Sequence, residues 1–346
     1  MSNRRLRCLL LVCLLLFSLS GCKAPAPQQG QKQYNATFLT LFDTVTTITG
    51  LASSEEEFQI KANGIRDELE VYHQLFDIYN EYDGIANLKT VNDQAGIAPV
   101  RVDEKIIRLL LDCREYYELT GGKVNVAMGS VLGLWHDART DGINDPVNAR
   151  LPDPQALEEA KKHTDFNTVI IDEEAMTVFV SDPDQRLDVG AVAKGWAAQR
   201  VGENAPEGLL ISVGGNICPT GPKTPEGNPW VVGIQSPEDT NTYLHTLYIT
   251  EDSLVTSGDY QRYYVVDGKP YHHIIDPDTL YPAAYWRSVT IVCGDSGLAD
   301  ALSTALFLLP RQDGQALLDE CGAKAMWVDA QGGIFYSPGL ESMIRT

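Results

Sequence analysis

The chain has 346 residues, 44% of them hydrophobic and 21% charged, with a formal net charge of −20 at pH 7. That is an ordinary globular composition, long enough for one large domain or two small ones. So strong an acidic balance argues against nucleic acid as a partner and against adhesion to anionic lipid through a basic patch.

Arg4, Arg5 and Arg7 form a basic start, and an almost unbroken apolar run follows from Leu9 to Leu19. About a dozen apolar residues is short for a bilayer span. The run closes with Leu19-Ser20-Gly21-Cys22, which resembles a bacterial lipobox. Residues 1–21 are therefore expected to be a lipoprotein signal peptide and Cys22 the lipid-modified N-terminus; an ordinary signal peptide or a short anchor helix is the alternative. Residues 22–36 read as the lipidated cysteine and a flexible tether, and 37–346 as the folded domain. The expected address is the extracytoplasmic face of a bacterial cell membrane, held there by acyl chains.

Within the domain, Leu39–Leu51 is rich in Thr, Val and Ile and predicts a strand. Phe58, Ala62, Ile65, Leu69, Tyr72 and Phe76 recur at helical steps. A second helix is expected from an Asp103 cap to Gly121-Gly122, and a third from Asp153-Pro154. Short strands follow near 168–171 and 177–180. Beyond Gly208 the chain turns strand-rich, with strands expected at 209–213, 230–235, 243–249, 262–266, 271–275 and 288–293. A helix over 297–308 and strands near 326–328 and 334–336 complete it. Helices first and strands later predict an α+β fold rather than alternating βαβ units. Cys113, Cys218, Cys293 and Cys321 lie far apart in apolar runs, without the spacing of a zinc site, and read as buried thiols, one pair of which could bridge. P-loop, GxGxxG and GxSxG patterns are absent.

Five segments are candidates for chemistry. Asp300, Ser303 and Thr304 share a helix face, and their oxygens suit a hard cation such as Mg²⁺ better than Zn²⁺. An acid among apolar residues is costly to bury unless it is paired or metal-bound, although a helix-capping role for Asp300 is the alternative. In Leu187–Trp196 a strand is expected to end in Asp188 and to turn on Gly190 into a helix start that could hold phosphate near Lys194; the plainer reading has Asp188 as a cap and Lys194 as a solvated charge. Leu210–Asn216 is an apolar strand ending in Gly-Gly-Asn that alone would be a plain turn, and Gly121–Gly129 is a glycine-bounded segment reaching Leu134-Trp135, for which core packing of Met128 and Trp135 is the plain reading. Last, His272 and His273 adjoin the turn Asp276-Pro277-Asp278-Thr279; being adjacent, only one of them faces a given side of a strand.

Taken together, the segments Asp188–Gly195, Ser212–Asn216, Thr256–Tyr260, His273–Pro282 and Ala299–Ala305 resemble, in order, the motifs of the ApbE family of flavin transferases, which move FMN from FAD onto a protein. The resemblance implies a single large ApbE-like domain, FAD as substrate and Mg²⁺ as cofactor. It implies that Asp300, Thr304, the Ala191 carbonyl and Ser303 hold the metal. Asp188, Lys194, Lys123, Val124, Asn125, Tyr79 and the Ile274 backbone would line the FAD site. Phe42-Asp43-Thr44 stands where many members have Met-Gly-Thr, implying that Phe42 packs on the flavin or the adenine. Asn125 stands where many have Asp, and Leu280 replaces a usual glycine, which would change that turn. The implied reaction transfers FMN to a threonine of an exported or membrane redox protein and releases AMP, with His273 as base and Asp276 as its orienter or substitute. Hydrolysis of FAD to FMN and AMP, and flavin carriage without chemistry, are the alternatives.

Overall fold

The structure is a computed structural model and describes residues 30–345. Cys22 and the signal segment lie outside the described residues. Among the described residues no helix is long and apolar enough to cross a membrane.

The frame is an eight-stranded antiparallel sheet. In spatial order its strands are β1 (Lys32–Phe38), β2 (Thr46–Ala52), β6 (Leu209–Val213), β7 (Asn216–Pro219), β10 (Ser253–Gly258), β13 (Ser288–Cys293), β14 (Lys324–Val328) and β15 (Ile334–Tyr336). Strand alternation splits its centre between two cores. Val255, Ile291, Ala325 and Trp327 face the main core, while Leu254, Val292, Met326 and Val328 face a second one. All six residues of β13 are buried because both faces are covered, which explains its unbroken apolar run.

Helices cover the main-core face. α1 (Glu55–Phe76) buries Phe58, Ala62, Ile65, Leu69, Tyr72 and Phe76, the predicted stripe, and Ser54 caps it. α3 (Glu104–Leu119) is capped by Asp103 as expected, and the chain leaves it through Gly121 and Gly122 at positive φ. α6 (Ala193–Asn204) and α7 (Ser296–Phe307) lie side by side against β7, β10 and β13. The other face is closed by the hairpin β8 (Trp230–Gln235) and β9 (Tyr243–Ile249), whose Trp230, Val232, Ile234, Leu247 and Ile249 build the second core.

A third, smaller core lies under α4 (Gly129–Asn144), α5 (Pro154–Lys161) and the hairpin β11 (Tyr263–Val266) with β12 (Lys269–His272); Trp135, Leu157, Tyr264 and Leu280 meet there. The small sheet β3 (Val100–Arg101), β5 (Thr177–Val180), β4 (Val169–Asp172) and the short helices α2 (Leu88–Asp93) and α8 (Arg311–Cys321) complete the chain. Cys113, Cys218 and Cys293 are buried free thiols and Cys321 is a partly exposed one.

Several expectations change. β1 begins at Lys32 and pairs along its length with β2, so the ordered domain takes in residues 32–36 of the expected tether. The strand expected over 39–51 is broken by a 3-10 turn, Leu41–Asp43, because Phe42 and Asp43 adopt positive φ of 52 and 51°. No strand leads into Asp188; its segment is a loop strapped to its neighbours by hydrogen bonds. β12 stops at His272, so His273 sits at the strand's end. α2, α4, α8, β7 and β10 carry too little periodicity to be read from sequence alone.

Candidate active site

Asp300 occupies the second turn of α7 and is 4% exposed. Asp295, not Asp300, caps the helix, by accepting from the Leu298 N–H. The Asp300 carboxylate accepts a hydrogen bond from the Gly195 N–H at 2.9 Å, and the Lys194 ammonium lies 3.6 Å away. This contact needs glycine: a Cβ at Gly195 would collide with the Ser296 carbonyl and stand 2.6 Å from Asp300 Cβ. Burial pushes the Asp300 carboxyl up, opposed by Lys194, the Gly195 N–H and the Asn216 amide. The motif Asp188–Gly195 and the Gly-Gly-Asn turn thus meet at one buried acid. Gly214, at φ 59°, packs against Thr44 and draws the Phe42–Thr44 turn to the same place. Phe42 itself is held by its N–H donating to His73 Nδ1 at 3.2 Å, and its ring meets the His73 ring edge-on at 5.6 Å.

Of the proposed metal ligands, Thr304 stands one turn beyond Asp300 and is partly exposed, and Ala191 is partly exposed at the start of α6. Ser303 is fully buried; its hydroxyl donates to the Asp300 carbonyl and contacts the Ser257 hydroxyl at 2.8 Å. A separate His/Asp cluster of ligand type is His163, Asp182 and Asp184, which includes none of the expected ligands. The Asp300 environment fits a hard cation: a buried carboxylate with one backbone donor keeps lone pairs free, and an ammonium already approaches it.

Asp188 accepts from the Gly190 N–H at 2.9 Å, and its own N–H donates to the Val126 carbonyl at 2.8 Å. Asn92, buried in α2, clamps the preceding residue by bonding both the N–H and the carbonyl of Leu187. Asp188 is not a helix cap; α6 has none from a side chain. Burial raises the Asp188 carboxyl, against the Gly190 N–H, His136, Arg262 and Arg139.

The two histidines divide their tasks. His272 Nε2 lies 2.8 Å from the Ala283 carbonyl and its Nδ1 accepts from the Ile274 N–H, so both ring nitrogens serve the backbone. His273 Nδ1 lies 3.2 Å from the Arg262 carbonyl. A carbonyl only accepts, so Nδ1 carries the proton and Nε2 keeps a free lone pair. Burial first, then the Arg262, His272, Arg139 and Lys194 charges, push the His273 pKa down to about 3.

Asp276 does not orient His273. Its carboxylate pairs with Lys123 at 2.9 Å, and Lys123 also reaches Asp278 at 2.7 Å. Burial alone would lower the Lys123 pKa, but these two pairs outweigh it and hold it up. The orienting group sequence reasoning missed is the backbone carbonyl of Arg262, which carries no side-chain signal. Lys123 and Asn125 line a polar cavity of about 340 Å³ together with Tyr117, Lys161, Lys162 and Asp278. Asn125 spends both amide atoms on the backbone, at Ala127 and Thr164, so it holds the segment in place. The Val124 side chain is core, and the Ile274 N–H and carbonyl are taken by His272 and Ala283. Leu280 keeps the turn that a glycine would make: its φ is 64°, and its side chain fills the third core under Trp135, whose indole N–H donates to the Leu280 carbonyl.

Tyr79 is 53% exposed. Asp77 holds its N–H, and its ring stacks on His136 at 5.0 Å. Burial, with Asp188 alongside, pushes its phenol up to about 12, so it remains a neutral donor.

A family model described as "ApbE family" matches residues 42–327. A curated protein of Treponema pallidum named FAD:protein FMN transferase is 35% identical over 277 residues, covering 75% of each chain. A Klebsiella pneumoniae protein of the same name is 33% identical and covers 66% of this chain and 70% of its own. The crystal structure of the ApbE protein of Thermotoga maritima superposes with a TM-score of 0.78 at 30% identity, across 91% of this chain and all of that one. The match of model, sequence and fold over most of the chain places it in the ApbE family.

Proposed function

We propose that this chain is a transferase that moves the FMN half of FAD onto a threonine hydroxyl of an acceptor protein and releases AMP, with Mg²⁺ as cofactor. The observation that carries the reading is the buried Asp300 carboxylate, set against Gly195 and Lys194 in a chain whose relatives are named FAD:protein FMN transferase. Asp300, Thr304 and the Ala191 carbonyl would hold Mg²⁺, which when bound neutralises diphosphate charge. Lys194 supplies a fixed positive charge to the same region and Asp188 a fixed acceptor. The threonine oxygen attacks the FMN-side phosphorus, the bond from that phosphorus to the bridging oxygen breaks, and AMP leaves with the electron pair. The hydroxyl proton passes to His273 Nε2. A base with a pKa near 3 is weak; a bound diphosphate would offset the Arg262, Arg139 and Lys194 charges that help depress it, while burial, the larger cause, remains.

The Leu19–Cys22 pattern supports a lipid-anchored enzyme outside the cytoplasm, acting on exported or membrane redox proteins. The test incubates the chain from Lys32 onward with FAD, Mg²⁺ and a threonine-containing acceptor domain, reading flavin fluorescence on a gel and AMP in parallel. The expected result is a fluorescent acceptor band with matching AMP, both lost on chelation. AMP and free FMN without a band would favour hydrolysis, and tight FAD binding without AMP would favour a carrier.

A further inference from the structure

Two side chains on α4 belong to none of the sequence motifs. His136 and Arg139 are three residues apart, so they share a helix face, and that face meets Tyr79. His136 stacks on the Tyr79 ring with an interplanar angle of 28°, and the Tyr79 hydroxyl lies 3.4 Å from His136 Nδ1. Arg139 Nη2 lies 3.2 Å from the same nitrogen. A guanidinium only donates, so Nδ1 must be the acceptor and the ring proton sits on Nε2. One imidazole nitrogen therefore receives an arginine and a tyrosine from two separate parts of the chain.

Neither Arg139 nor Arg262 forms an ion pair with a carboxylate among the described residues. Burial first and then the Arg262 charge lower the Arg139 pKa, against Tyr79 and the Asp188 carboxylate, and both guanidiniums act on His273 and Asp188. With Asp188 set against two guanidiniums, a further anion such as a phosphate would complete the local charge balance.

We propose that Arg139 binds a phosphate of the flavin nucleotide and that His136 is the positioning residue that presents both Arg139 and Tyr79 to it; the inference rests on the flavin-transfer reading. The ring stack fixes the imidazole, the imidazole fixes the guanidinium, and the planar fork is then aimed rather than free to rotate.

The test is equilibrium binding by flavin fluorescence, with FAD, FMN and riboflavin as probes, which requires no turnover. Arg139→Ala is expected to weaken FAD and FMN by about tenfold, as loss of a charge-assisted hydrogen bond would, and to leave riboflavin unchanged. Arg139→Lys should recover part of the loss. His136→Ala should lower the FAD-to-riboflavin affinity ratio, and should lower it no further once Arg139 is already alanine, which a merely structural role would not produce. If Arg139→Ala does not fold, Arg139→Gln reads the same loss. An unchanged ratio in a folded Arg139 variant overturns the proposal, whereas wild-type chain that binds FAD but never transfers it overturns only the reaction. Wild-type chain that binds no FAD overturns both.

Discussion

On one side of the site α6 and α7 approach so closely that Gly195 has no room for a Cβ, and Asp300 is shut off from water. On the other side Tyr79 is half exposed and stacks on His136, whose Nδ1 lies 3.2 Å from Arg139 Nη2. The closed wall fixes its carboxyl group in place before any ligand arrives, through the Gly195 N–H at 2.9 Å and Lys194 at 3.6 Å. The open wall is held mainly by side-chain contacts and sets the Arg139 and Arg262 charges against a single carboxylate, Asp188. Electrostatic preorganisation belongs to the first wall and recognition to the second.

The largest expected effect breaks the closed wall. Asp300→Asn keeps the shape but removes the charge, and Mg²⁺-dependent AMP release should fall about a thousandfold, equivalent to several kcal/mol of lost charge stabilisation. Steady-state kinetics at saturating FAD checks this, and undiminished turnover would remove Asp300 from the site. His273→Ala should lower kcat by about a hundredfold or more, the usual contribution of a positioned base.

The same residue gives a pH signature. The His273 pKa is held down at about 3 in the folded chain, against an unfolded value of about 6.5. Between those values the unfolded chain binds the extra proton, so stability rises with pH and is lost as pH falls below about 6.5. Denaturant titrations at pH 5 and 7 should therefore show a smaller pH difference for His273→Ala than for wild type.

Gly195→Ala sharpens the comparison from the packing side. Overpacking α6 against α7 should cost about 1–3 kcal/mol in a denaturant titration and lower activity by displacing Asp300. Leu280→Gly tests the open side's foundation and carries the smallest effect. It relieves a left-handed backbone worth about 1–2 kcal/mol but empties a buried leucine from the third core, worth about 2–5 kcal/mol. A modest net loss of stability is expected, and a gain would show that the strain outweighs the packing.

The closed wall was also the legible one. An acid inside Ala-Asp-Ala-Leu-Ser-Thr-Ala has few roles open to it, so residues 299–305 stand out locally, whereas 188–195 alone suits a plain strand–helix corner and gains meaning only beside the other segments. The α1 helix was legible through its stripe, and the starts of α3 and α5 through their caps. The open wall was not. Tyr79 and His136 are 57 residues apart and meet only through tertiary packing. α4 was hidden by Gly129, Gly133 and Gly142 and by a stripe that buries little beyond Val131 and Trp135. The Thr256–Gly258 segment reads as a loop motif because its residues are small, yet it ends a central strand in which Thr256 contacts Thr290 at 2.9 Å. Asp276 was placed beside His273 by nearness in sequence, but three residues along a turn are enough to point it at Lys123 instead.

The most direct test of the account is the intact mass of an acceptor domain after incubation with the chain, FAD and Mg²⁺. The account predicts that the acceptor gains one FMN through a phosphoester on threonine, with AMP formed in equal amount and both abolished by Asp300→Asn. An acceptor of unchanged mass beside free FMN and AMP, across acceptors that carry accessible threonines, would contradict it.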